Sequence, residues 1–519
     1  MTRPLKIDDL YAFAVPGDPA LSPDGRRVVY TLTTQDAAND RPVNRLWEAG
    51  TTGPPRRLTL GPADAAPRWS PDGASVAFLR EGRLHLLPAG GGEPYAVEGE
   101  PRLAGEPVWS PDGTRIAYAA PAGGGDDAAP VVVDRFGYKA DGAGLTEGAH
   151  LFVTDVATGR TRQLTSGDVR AAGPAWSPDG SRLAFTAALA PDADLKGARA
   201  VYVIDAGNGA DGPTPVGPVD GQPQWVGWFP GGDALLVVGR VALTPGHATL
   251  LRQPLDGSAP VPLAPAFDRN VMTGGPGYPG AAPAFLDESG ESVLFCARDR
   301  GVTRLYRLDS GDVTEVPLPA GTGVAGCSMN AKTGGAALVA VDGTTFGEVA
   351  LLDLATGALT RRTGHTAAAL PGVTFHPVTE REFTVSDGVR VHGFVIRDPG
   401  TPPGGPLLVD VHGGPHNAWA PHADPVHLYH QELASRGWTI LALNVRGSDG
   451  YGEGFYTAAV GAWGEADEKD VLEPVAELVA EGLADPRRIV LTGYSYGGYL
   501  TCWLSARSDV FAAAVPGGV

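Results

Sequence analysis

Cysteine and lysine are scarce in this chain, long apolar runs are missing, and positive charge is outnumbered. Three cysteines in 519 residues, Cys296, Cys327 and Cys502, stand at no CxxC spacing. They point to neither a zinc ribbon nor a disulfide framework, and read as thiols in a reducing compartment. No segment approaches the roughly 18 uninterrupted apolar residues of a membrane helix. The opening MTRPLKIDDLYAFAVPGD lacks the apolar run of a signal peptide. The expectation is a cytoplasmic protein with no membrane partner. Forty Lys+Arg against 59 Asp+Glu give a net charge of −19, which repels nucleic acid. What is abundant is glycine, 73 residues, and proline, 47, which disfavour a mainly helical fold. The length suggests two to four domains, since single cores stop growing near 250–300 residues.

One phrase recurs. SPDG stands at 22–25, 70–73, 110–113 and 177–180, each time followed by an alternating strand such as ASVAF or SRLAF. Proline at the second turn position presets φ, and glycine at the fourth accepts a left-handed conformation, so the phrase closes a type I turn between two strands. Trp69, Trp109 and Trp176 each precede a copy by one residue. Weaker copies, FPGGD at 229–233, DESGE at 287–291 and NAKTG at 330–334, complete a series with steps of 48, 40, 67, 52, 58 and 43 residues. Steps of this size match four-stranded propeller blades, so about seven blades are expected over residues 20–370. The long step holds GGGDDAAP at 123–130 and the following VVVDRFGYKADGAG, read as an insertion on one face. Residues 1–375 are taken as a β-propeller with an N-terminal extension.

Past His376 the pattern changes. The runs VRVHGFVIRD (389–398), PLLVDVHGGP (406–415), TILALNVRGS (439–448) and RIVLTG (488–493) alternate with helix candidates at 423–437 and 465–483. This indicates a largely parallel sheet covered on both faces, an α/β domain over 376–519. Directly after RIVLTG stands GYSYGGYLTCWLSA, a GxSxG motif that places Ser495 on a tight strand-to-helix turn. Its setting between a strand and an apolar helix is what a nucleophile elbow requires. HGGPH at 412–416 closes an earlier strand with two glycines, as an oxyanion-hole loop does when its amides must approach a carbonyl oxygen. Arg446 reads as a tie between its loop and neighbouring carboxylates, and His412 as a structural hydrogen-bonding residue. His422, His427 and His430 lack metal-ligand spacing and read as packing or surface residues, so no metal or other cofactor is expected.

HGGPH (412–416), NVRGSDGYGEGF (444–455), AWGEADEKDV (462–471) and ADPRRIVLTGYSYGGYL (484–500), with the SPDG propeller upstream, resemble the prolyl oligopeptidase family of serine peptidases, most closely its acylaminoacyl-peptidase branch. The resemblance implies a β-propeller joined to an α/β-hydrolase domain that hydrolyses short peptides. It makes Ser495 the acylating nucleophile, the amides of Tyr496 and Gly414 the oxyanion hole, and the propeller a size filter. A serine nucleophile also needs a histidine and an acid, which in this fold follow the serine in chain order. The 24 residues after Ser495 contain one acid, Asp509, and no histidine. Asp509 falls near the end of the elbow helix, badly placed for a triad. A fragment, a division over two chains, or a non-catalytic binding scaffold each fit. The first two are favoured, because FAAAVPGGV at 511–519 reads as a sheet strand whose edge would otherwise stay open. An esterase on the same groups is a further alternative, and an exposed edge also invites a homo-oligomer.

Overall fold

The local chemistry of the repeated turn sets the architecture. In the computed structural model, which describes residues 2–97, 105–121, 139–140, 144–145, 148–207, 209, 212–275 and 278–519, each SPDG phrase is built alike. The Gly25 amide donates to the Ser22 carbonyl at 2.9 Å, and the Ser22 hydroxyl donates to Asp24. The same Ser22 hydroxyl accepts the Arg27 amide at 2.9 Å, which starts the next strand. Gly25, Gly73, Gly113 and Gly180 all have φ near +70°, and Gly232, Gly290 and Gly334 of the weaker copies are also left-handed. Seven turns thus each hold a left-handed glycine although only four share a sequence.

Each turn joins the first and second strands of a four-stranded antiparallel sheet. Seven such sheets occupy residues 14–57, 64–96, 108–163, 172–215, 222–262, 284–315 and 323–361, and are numbered here as blades 1 to 7. The insertion expected at 123–144 lies outside the described residues, apart from the backbone of a short ladder pairing Lys139–Ala140 with Gly144–Leu145. Neighbouring blades are keyed through the turns. A Cβ on Gly73 would touch Pro23 of the preceding blade at 3.6 Å, one on Gly113 would touch Pro71 at 3.5 Å, and one on Gly232 would touch Pro178 at 3.6 Å. The tryptophans complete the key. The indole N–H of Trp69 donates to Ala20, that of Trp109 to Arg68, and that of Trp176 to Val108, each a carbonyl on the first strand of the blade before. Trp228, which the repeat pattern left out, does the same to Ala175 at 3.0 Å. Arginines lie over several of these rings, Arg115 at 4.6 Å from Trp176 and Arg182 at 4.7 Å from Trp228.

The ring closes without a shared blade. Blade 7 meets blade 1 through the Ser328 hydroxyl, which accepts the Leu21 amide, and Asn330 Nδ2, which donates to the carbonyls of Ser22 and Pro23. Arg362 adds a bond to the Gly50 carbonyl. The N-terminal residues Arg3–Pro4 instead pair in parallel with Val373–Thr374, outside the blades.

The second sheet has six strands: β1 (Val378–Thr384), β2 (Arg390–Ile396), β3 (Gly405–Val411), β4 (Thr439–Asn444), β5 (Ala484–Tyr494) and β6 (Ala513–Gly517). They lie in the order β1-β2-β4-β3-β5-β6, with β4, β3, β5 and β6 parallel. The helices are α1 (Tyr429–Ser435), α2 (Glu453–Thr457), α3 (Glu468–Ala480) and α4 (Tyr496–Arg507). Val409, Val411, Leu441, Leu443 and Leu491 of the central strands pack with Val475 and Leu478 of α3 and Leu500 and Leu504 of α4 in one buried core. This is the α/β-hydrolase arrangement expected beside a propeller. It rests on the turns joining second and third strands, the end of the ring opposite the SPDG turns: the Arg300 amide of blade 6 donates to Gly450, and the Ala423 amide donates to Asp342 of blade 7.

Candidate active site

Ser495 lies at the junction of β5 and α4 with φ 55° and ψ −115°, a conformation that costs a non-glycine residue energy and throws its side chain out of the turn. The residue is exposed. Crowding explains the glycines around it. A Cβ on Gly493 would lie 2.6 Å from the Val411 carbonyl oxygen, one on Gly497 only 1.9 Å from the same atom, and one on Gly498 2.2 Å from the Gly517 carbonyl oxygen. The helix therefore starts hard against the ends of β3 and β6, and only glycine fits. The first amides of a helix have no partner within it, so the Tyr496 amide at the start of α4 is placed to meet an anion. The Tyr496 side chain points inward, 3% exposed, its ring edge-on to Trp463 at 5.1 Å.

The HGGPH loop leaves β3 directly over this turn. A Cβ on Gly413 would stand 3.3 Å from Ser495 Cβ and 3.0 Å from the Tyr494 carbonyl oxygen, so Gly413 lies against the elbow. Gly414 has φ +134°, is exposed, and could carry no Cβ without striking the His416 nitrogen at 2.5 Å. The adjacent Ser495 and Tyr496 and the distant Gly413–Gly414 pair are thus brought to one edge of the sheet.

The two histidines of the loop are engaged elsewhere. His412 Nε2 shares a hydrogen bond with the Ser448 hydroxyl at 2.8 Å and Nδ1 one with the Gly413 carbonyl; burial pushes its pKa down to about 4. His416 Nδ1 bonds the Gly447 carbonyl, and its ring stacks on Tyr456 at 3.8 Å. Among the described residues no histidine is hydrogen-bonded to Ser495. Asp509 lies beyond the far end of the 12-residue α4, about 18 Å along the helix from the serine. Arg446 makes the tie read from its position: it grips Asp470 with Nε and Nη2, at 3.0 and 2.6 Å, and reaches Asp387 with Nη1 at 2.8 Å. His430 and Tyr429 both bond Asp410, and His427 bonds Asp424. His422 is half-buried, and desolvation pushes its pKa down to about 4. Among the described residues no three His, Cys, Asp or Glu side chains gather to hold a metal ion. No sequence pattern singled out Asn417, Asp449 or Tyr456. The one signal for Asp449 was its place in NVRGSDGYGEGF, and Tyr456 directly follows that motif.

Residues 426–518 match the prolyl oligopeptidase family. The chain is 29% identical to the uncharacterized peptidase YuxL of Bacillus subtilis over 99% of its own length and 82% of that protein. A shorter stretch, 21% of this chain and 14% of the relative, is 40% identical to the acylamino-acid-releasing enzyme of Arabidopsis thaliana. In structure it is similar to the acylaminoacyl peptidase of Pyrococcus horikoshii, with a TM-score of 0.81 at 20% identity, covering 99% of this chain and 79% of that one. The elbow, the glycine loop against it and the propeller are laid out as in those structures, and residues 426–518, which carry the elbow, match the prolyl oligopeptidase family.

Proposed function

We propose that the protein hydrolyses short peptides through an acyl-enzyme on Ser495, with the propeller, residues 1–375, restricting access to the hydrolase domain, residues 376–519. The observation that carries this is the seating of Gly413, which leads into Gly414, against the Ser495 turn where α4 begins. The Ser495 oxygen attacks the peptide carbonyl, and the new oxyanion accepts hydrogen bonds from the amides of Gly414 and Tyr496. A histidine takes the serine proton, gives it to the departing amine, and then activates the water that releases the acyl group. The acylamino-acid-releasing and acylaminoacyl peptidase relatives support an N-acylated peptide as one substrate class.

His412 and His416 are committed to other partners, so the base and its acid are proposed to come from a segment or second chain beyond residues 1–519. β6 is where such a segment would pack. It pairs with β5 on one side only, and Val515 is 59% exposed. A second copy of the chain is the competing occupant of that edge. Three free cysteines support a cytoplasmic setting, and among the described residues no helix is long and apolar enough to cross a membrane.

Intact mass and fluorophosphonate labelling with peptide mapping test the reading. The expected result is label on Ser495, lost in Ser495→Ala, in material that contains the additional segment or chain. A single species of 53.5 kDa that takes no label would refute it and favour a binding scaffold. Turnover of p-nitrophenyl esters without turnover of N-acyl peptides would instead identify an esterase.

A further inference from the structure

Gly413 and Gly414 carry no side chains, so the position of the Gly414 amide is set entirely by the flanks of its loop. On the N-terminal side His412 is fixed within the hydrolase domain, by Ser448. On the C-terminal side His416 is likewise held within the hydrolase domain, by Gly447 and Tyr456, but the ties of the next residue, Asn417, run differently. The Asn417 amide donates to the Pro415 carbonyl at 2.8 Å, folding the loop back, and its own carbonyl accepts the Asp449 amide at 2.9 Å. Its side-chain oxygen accepts a bond from Arg298 Nη1 at 2.8 Å. Arg298 belongs to the propeller, next to last in the second strand of blade 6, Ser292–Asp299.

Arg298 is 3% exposed, a buried cation whose second polar neighbour is Asp449, at 3.9 Å. Asp449 is itself held from the propeller by Asn270 Nδ2 at 3.0 Å. The hairpin that follows Arg298 is wedged in place: a Cβ on Gly301 would fall 2.0 Å from the Trp419 carbonyl oxygen, and the Arg300 amide donates to Gly450 at 2.9 Å. A buried charge with so few partners is costly unless its position is worth holding.

We infer that Arg298 is a positioning residue for the oxyanion loop, so that blade 6 helps to assemble the active site as well as enclose it. It acts through Asn417 on the Gly414 amide and touches no reacting atom. The inference rests on the proposed role of that amide.

The test uses the purified protein with Arg298→Met and Arg298→Lys. Hydrogen exchange followed by mass spectrometry reads the loop directly, and kcat and KM on a peptide p-nitroanilide read its consequence. In R298M the amides of residues 413–417 are expected to exchange about tenfold faster while the core strands of blade 5 are unchanged. Displacing an oxyanion donor by a fraction of an ångström lowers kcat about 10–100-fold and leaves KM within about threefold. R298K, which keeps the charge, recovers part of kcat. A role in folding alone would lower stability and leave kcat of the folded enzyme and the exchange at 413–417 unchanged, which overturns the inference. If R298M does not fold, R298K decides: a lowered kcat at constant KM supports the assignment and an unchanged kcat overturns it. A wild-type protein with neither turnover nor label on Ser495 fails differently, since it removes the catalytic reading and the inference with it.

Discussion

Replacing Gly497 by alanine tests whether close packing at the elbow sets the geometry of the site. The added Cβ would lie 1.9 Å from the Val411 carbonyl oxygen, 2.8 Å from its carbon and 3.1 Å from the His412 oxygen. All three are backbone atoms at the end of a central strand, so no side chain can swing aside. An ordinary contact requires the start of α4 and the end of β3 to part by about 1.5 Å. Overpacking of this kind costs about 1–3 kcal/mol, and more where backbone must move. The same movement carries the Tyr496 amide away from the Gly414 amide, and a misplacement of about 1 Å costs on the order of 100-fold in rate. Urea denaturation measures the first effect, and the rate of fluorophosphonate labelling at Ser495 the second. Gly454→Ala, also in a helix of this domain, is the control: its Cβ would meet nothing within 4 Å, and the change should be neutral or stabilise by up to about 1 kcal/mol. If Gly497→Ala matches wild type within about 0.5 kcal/mol and labels at the same rate, the packing argument is wrong.

Two further outcomes follow from the fold. Trp176→Phe keeps a ring between blades 3 and 4 but removes the N–H that reaches Val108 at 2.9 Å, and should cost about 1–2 kcal/mol in urea denaturation; a change indistinguishable from zero would mean that the ring alone holds the blades. Burial pushes both His412 and His422 down to about 4. Between that value and the ordinary histidine range near 6.5 the unfolded chain binds more protons than the folded one, so stability falls as pH drops through this window, by up to about 1.4 kcal/mol per pH unit for each histidine. His422→Gln should flatten the slope between pH 6 and pH 4.5, and an unchanged slope would show that His422 does not contribute.

The parts of the fold legible in the sequence are those fixed by local chemistry. Ser-Pro-Asp-Gly closes its turn by bonds among five or six consecutive residues, so the blades could be counted before any strand was placed. The glycines at 413, 414, 497 and 498 were legible because backbone packs on backbone there, and no other residue fits. Helix α1 is shorter than its apolar pattern suggested, Tyr429–Ser435 within 423–437. Ala423 and Leu428 are instead drawn into a cluster with Leu5 and Phe13 of the N-terminal segment. Strand β5 is longer than RIVLTG, reaching back to Ala484 through an irregular register opposite Gly405. The bond from Arg298 to Asn417 could not be read at all, because it joins residues 119 apart across two differently built domains.

The seam between blades 1 and 7 has a mechanical meaning. Every blade is drawn from one continuous stretch of chain, and among the described residues no strand ladder crosses from the last blade to the first. The ring is held shut there by Ser328, Asn330 and Arg362 and by the packing of Leu21 and Val28 against Ala337 and Val349. Elsewhere the chain itself links neighbouring blades; at this one joint the linkage is non-covalent, so a load that spreads the propeller can part it here without stretching a connecting segment of chain. The propeller is a split washer, and its split lies beside the blade that grips Ala423 of the hydrolase domain through Asp342.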